Sequence, residues 1–204
     1  MSIKSFILGK TKTLQADVTV TGAVLNAGHL QITGTHAFEV GDIVSISGIV
    51  GAVEANVVGI VSSIATTVSF KLENTPCAVT AYTSGGTVKH IGWATPLVLV
   101  DATTFPTVPD MTFKARIERL DASCNARVTL VDSADAGFLT SWPLAHFNSF
   151  GGIDKGLSQD KNFDAKMYEM PGIRAGVSGD NCRVLFYMDG GAGKVAQFGA
   201  WLEY

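Results

Sequence analysis

Apolar and polar residues alternate along this chain in short runs, and the runs stop at glycine, asparagine or serine. From Asp17 onward, Val18 and Val20 fall on one face and Thr19 and Thr21 on the other, up to Gly22. Side chains that point alternately to opposite faces mark a half-buried strand. The pattern recurs at His29 to Thr33 and is most regular from Thr35 to Gly48, where a turn leads into a strand with Val44 and Ile46 on one side and Ser45 and Ser47 on the other. Val57 to Ile64 is a longer, mostly apolar run. Thr67 to Leu72 places Val68, Phe70 and Leu72 inward, and Ser84-Gly85-Gly86 then turns the chain into Thr87-Val88-Lys89. Short strands with brief connections predict antiparallel neighbours, and over residues 28–90 they predict one unit, a small barrel or sandwich.

A different unit follows. Phe105-Pro106-Thr107-Val108-Pro109 holds two prolines that cannot donate to a sheet ladder, so residues 91–110 read as a connector. Met111 to Leu120 is the clearest strand, with Met111, Phe113, Ala115 and Ile117 on one face and Thr112, Lys114, Arg116 and Glu118 on the other. Further strands are expected at Asn125 to Asp132, Ala165 to Met170 and Cys182 to Met188, beside an aromatic-rich stretch from Phe138 to Phe150. Val195 to Tyr204 alternates again, with Ala196, Phe198, Ala200, Leu202 and Tyr204 on one face. No segment carries a sustained helical stripe, so the chain is read as all-β, with residues 111–204 a β-sandwich of jelly-roll type. Residues 1–27 form an N-terminal arm and a first strand. The arm places Lys4, Lys10 and Lys12 around Phe6-Ile7-Leu8, and that triplet either packs within its own domain, as an edge strand for instance, or docks on a neighbouring molecule.

Composition narrows the chemistry. The 204 residues are 47% hydrophobic and 16% charged with a net charge of −3, which describes a folded and weakly charged protein. Lys and Arg number 15 against 18 acids and are scattered, so no basic stripe argues for nucleic acid. No apolar run approaches the roughly 18 residues of a membrane span. Phe6-Ile7-Leu8 is too short for the apolar region of a signal peptide, and maturation in a reducing cytoplasm is expected. Cys77, Cys124 and Cys182 are an odd, widely spaced set, which reads as buried reduced thiols.

Motifs for catalysis, cofactors or metals are not found. Gly190-Gly191-Ala192-Gly193-Lys194 has Met188 and Val195 where a phosphate loop needs Gly and Ser or Thr, so it reads as a hairpin turn. His29, His36, His90 and His146 have no ligand-spaced companions, and each reads as a satisfied or surface histidine. Asp132, Asp135, Asp154, Asp160 and Asp164 do not follow a calcium-loop spacing. The aromatics are the stronger signal: Trp142, Trp201, Tyr187 and Tyr204 read first as core residues of a β-sandwich, and they also suit an interface or a sugar-stacking surface.

One resemblance adds to this. Thr35-His36-Ala37-Phe38, Val40 through Gly48, Glu54-Ala55-Asn56, Thr67 through Leu72 and Ala81 through Val88, in that order, resemble a small β-barrel module of tailed-phage virion proteins. That module is similar to the first catalytic-cysteine half-domain of ubiquitin-activating enzymes. This chain departs from it at Asn56-Val57, where the family often has Asn-Gly, and Cys77 does not match a catalytic cysteine. Arg116-Ile117-Glu118, Asp132-Ser133-Ala134-Asp135 and Ala200 through Tyr204 are similar to partner domains beside such modules. The resemblance implies a virion structural protein without enzymatic activity: a capsid decoration (cement) protein bound to the major capsid protein and to copies of itself, as a homotrimer. The alternative is a carbohydrate-binding or host-recognition module of a tail or head fibre, with a host glycan as ligand. The expected interface residues are Phe6, Ile7, Leu8, Trp142, Trp201 and Tyr204.

Overall fold

The structure is a computed structural model that describes residues 3–73, 79–96, 98–100, 111–121, 124–133, 142–147, 166–173 and 180–203. It is all-β, and the chain divides into two compact units. One comprises Leu14–Ala94 with Gly191–Gly193; the other comprises Met1–Thr13, Thr95–Gly190 and Lys194–Tyr204. The first unit is therefore an insertion in the chain of the second.

Strand β1 (Ile3–Thr13) opens the chain. The inserted unit then supplies β2 (Val18–Thr19), β3 (Gly22–Asn26), β4 (His29–Thr33), β5 (Asp42–Ser47), β6 (Val58–Thr66), β7 (Ser69–Leu72) and β8 (Thr87–Ala94). Its strands pair in the order β8-β5-β6-β7-β4-β3, with β2 on β8. It begins well before residue 28, because β2 and β3 are part of it. Alternation puts Leu30, Ile32, Val44, Ile46, Val61, Phe70, Leu72 and Val88 in one core, each almost fully removed from water. Val68 departs from the pattern: it lies in the turn before β7 and is 47% exposed, and its carbonyl accepts the Gly34 N–H at 2.9 Å.

The barrel expected for this unit is not closed. β2 pairs with β8 and β3 pairs with β4, and the chain changes partners between them. At the change, the Val20 N–H donates to the Gly86 carbonyl (3.0 Å) and the Thr21 N–H to the Thr33 carbonyl (2.8 Å). The result is an open ladder whose two ends are joined by one stretch of chain. Gly86 is held at φ +108, where a Cβ would press on Ile49 and Val20, so only glycine fits.

The remaining strands are β9 (Val98–Val100), β10 (Met111–Leu120), β11 (Ala126–Ser133), β12 (Trp142–Phe147), β13 (Lys166–Ile173), β14 (Asp180–Met188) and β15 (Val195–Glu203). With β1 they build two layers, β1-β15-β10-β13 and β12-β11-β14 with β9 on β14. The pairs β1·β15, β9·β14, β10·β13 and β11·β12 are the successive rungs of one long antiparallel hairpin, read from its ends to its tip. The pairs β10·β15 and β11·β14 roll that hairpin on itself. This is the jelly-roll topology. Its interior follows the predicted periods: Phe113 and Ala115 of β10, Val128 and Leu130 of β11, and Ala196, Phe198 and Ala200 of β15 are buried. Phe186 of β14 stacks on Phe198 of β15 with ring centroids 3.8 Å apart, which ties the two layers together.

Residues 3–13 are not a free arm. They form the first strand of the jelly roll, in register with β15 from Ile3↔Glu203 to Thr13↔Val195. Removing residues 1–13 should therefore do more than free a tail: it strips the ladder partner from β15. The expected outcome is early loss of the jelly-roll transition in a thermal melt while the inserted unit still unfolds cooperatively. A melt unchanged from the full chain would refute it.

Candidate functional site

A cluster of buried aromatic and polar side chains lies inside the inserted unit. His36 and Phe38 come from the segment between β4 and β5, Asp42 starts β5, Phe70 lies in β7, and His90 and Trp93 lie in β8. His36 stacks on Phe38 and meets Phe70 edge-on, while Phe38 and Trp93 both present edges to the His90 ring, at centroid distances of 5.0–5.8 Å. Asp42 and His90 are both buried, with His90 Nε2 3.5 Å from Asp42 Oδ1.

Hydrogen bonds assign the tautomers. His90 Nδ1 accepts the Gln15 N–H at 2.9 Å, so the ring proton sits on Nε2, 2.9 Å from the Gly92 carbonyl. His36 Nδ1 accepts the Phe38 N–H at 3.2 Å, and among the described residues its buried Nε2 has no hydrogen-bond partner. His36 is thus neither a satisfied nor a surface histidine. Asp42 Oδ2 accepts the Glu39 N–H at 2.8 Å. The cluster ties the chain entering the unit at Gln15 to the strand leaving it at Gly92. Both ring nitrogens of His90, Nδ1 of His36 and Oδ2 of Asp42 bind backbone groups, which makes the cluster a structural lock.

Asn56 has a related role that its sequence does not announce. Its Oδ1 accepts the Ile49 N–H at 2.8 Å and its Nδ2 donates to the carbonyls of Ile49 and Val53, both at 3.1 Å. That side chain closes the loop after β5 without an Asn-Gly turn.

The expected interface residues scatter. Phe6, Ile7 and Leu8 lie in β1, and Trp201 lies half-buried in β15 opposite Ser5, so the structure brings the triplet and Trp201 onto neighbouring strands. Trp142 starts β12 in the other layer, opposite Asp132. Tyr204 and Cys77 lie outside the described residues. Tyr187 is half-buried with the Arg127 guanidinium 4.5 Å from its ring centroid, so one stacking face is already covered. Burial raises the Tyr187 hydroxyl above its ordinary range, and Arg127 opposes the shift. Cys124 and Cys182 are buried, and burial pushes the Cys124 thiol up. The Gly190-to-Lys194 stretch is the turn between β14 and β15, and its Gly193 N–H donates to the Leu14 carbonyl at 2.8 Å.

Among the described residues no group of three or more His, Cys, Asp or Glu converges to hold a metal, and no helix is long and apolar enough to cross a membrane. Compared with known proteins, the chain matches no protein-family model and no curated sequence.

Asp42→Ala removes an acceptor from the Glu39 N–H and the carboxylate beside His90. A cost of about 1–3 kcal/mol is expected in urea unfolding of the inserted unit, with Asp42→Asn costing less because it keeps an acceptor. Wild-type stability of Asp42→Ala would rule out the lock.

Proposed function

We propose that this chain is a structural protein of a tailed-phage virion, a capsid decoration (cement) protein bound to the outer shell and stabilising the head. One observation carries the reading: a jelly roll whose first and second strands are separated by a second all-β unit. Double-sheet jelly rolls serve viral capsid proteins. The inserted unit is also the part whose order of motifs, from Thr35 to Val88, resembles the small virion module.

The role is non-enzymatic. The polar side chains of His90, Asp42 and Asn56 are bonded to backbone groups. A low net charge of −3 fits a protein that meets other proteins and not nucleic acid or a membrane. Its partners are the major capsid protein and further copies of itself, as a homotrimer. Its place is the virion, assembled in the host cytoplasm.

A second reading, a fibre module that binds a host glycan, draws on the use of the same topology by lectins. Trp201, half-buried on the strand next to the Phe6-Ile7-Leu8 strand, is its best anchor.

Mass spectrometry of purified particles should find the protein in high copy number, and a cryo-EM map should place it on the head exterior. Its absence, or a handful of copies at the tail, would overturn the decoration role. Glycan-array binding lost in Trp201→Ala, with the fold intact, would select the second reading.

A further inference from the structure

A strand at a sheet edge offers unpaired N–H and C=O groups to any other strand, and folded proteins blunt such edges with lysine, proline or brevity. Most edge strands of this chain follow that rule. β1 contains Lys4, Lys10 and Lys12, β12 contains Pro143, β13 contains Pro171, and β9 has three residues. β3, reading Gly22-Ala23-Val24-Leu25-Asn26, has none of these devices. Among the described residues it pairs with β4 alone, and its Val24 and Leu25 are 52% and 40% exposed. No Asp, Glu, Lys or Arg lies anywhere between Asp17 and Glu39, so β4 behind it is equally uncharged.

The edge is also rigid. Ala27 and Gly28 both have positive φ, +53 and +79, which builds the tight two-residue turn that matches strand twist. Asn26 Nδ2 donates to Gln31 Oε1 at 2.5 Å across the end of the hairpin. A preformed strand loses little freedom when another strand adds to it.

We propose that β3 is a docking strand for a second copy of this chain, the two β3 strands pairing antiparallel about a two-fold axis. Centred on Val24, that register sets Val24 against Val24, Ala23 against Leu25 and Gly22 against Asn26. It opposes no charge to a charge and joins the exposed valines. It uses the same patch on both copies, so it closes at two and does not propagate. In a three-fold assembly the same contact joins neighbouring trimers. The inference goes beyond the capsid reading and is decided on purified protein, without virions.

The test uses the full chain in a Cys77→Ser background, since Cys124 and Cys182 are buried. Light scattering should give a mass that halves in Val24→Lys, because two ammonium groups would then face each other. The two-fold dissociation constant should rise at least about ten-fold. Val24 is exposed in the single chain, so the variant should keep the circular-dichroism spectrum of the wild type. Val24→Cys should form a covalent dimer through identical positions under mild oxidation. A mass that Val24→Lys leaves unchanged, or a Val24→Cys chain that yields no dimer, overturns the proposal.

Discussion

Pairing of the first strand with the last is the constraint on which this architecture depends. β15 is flanked by β1 on one side and β10 on the other, so the layer β1-β15-β10-β13 is complete only when residues 3–13 meet residues 195–203. Nearly the whole chain lies between them. Such a contact carries the closure entropy of the intervening chain, which the ladder must offset. The β1·β15 ladder carries two register shifts, between Ser5 and Ile7 and between Ile7 and Lys10, and still runs the length of both strands.

The chain is fastened as soon as β1 ends. Leu14 is buried and its carbonyl accepts Gly193 N–H, and the next N–H, of Gln15, goes to His90. The His90 ring in turn stands between Phe38 and Trp93, with Asp42 beside it. Buried polar groups of this kind are costly unless bonded, so their arrangement specifies one packing over others. His36, with one nitrogen unpartnered among the described residues, is the exception inside that packing.

Much of the strand content was legible in the residues because its cause is local. Val44 and Ile46 are buried, Ser47 is exposed, and Phe70 and Leu72 are fully inward, as two-residue alternation requires. Val68 was misread because the pattern alone does not say where a strand stops and a turn starts. The arm was left between two readings for a similar reason: Ile3–Thr13 has little alternation, and the edge-strand reading is decided only by the partner β15, at the far end of the chain. The lock around His90 was not legible, since Gln15, Asp42 and His90 are distant in sequence and none belongs to a motif.

By itself the sequence determined that the chain is all-β, where most strands lie and which faces they bury, because side-chain alternation and glycine turns act within a few residues. Only the tertiary structure decided that the chain's beginning belongs with its end, that one β unit is inserted between the first two strands of a jelly roll, and that the expected barrel stays open. Those features depend on which distant strand supplies each backbone partner. Alternation is the same whichever strand that is, so no local pattern can choose it.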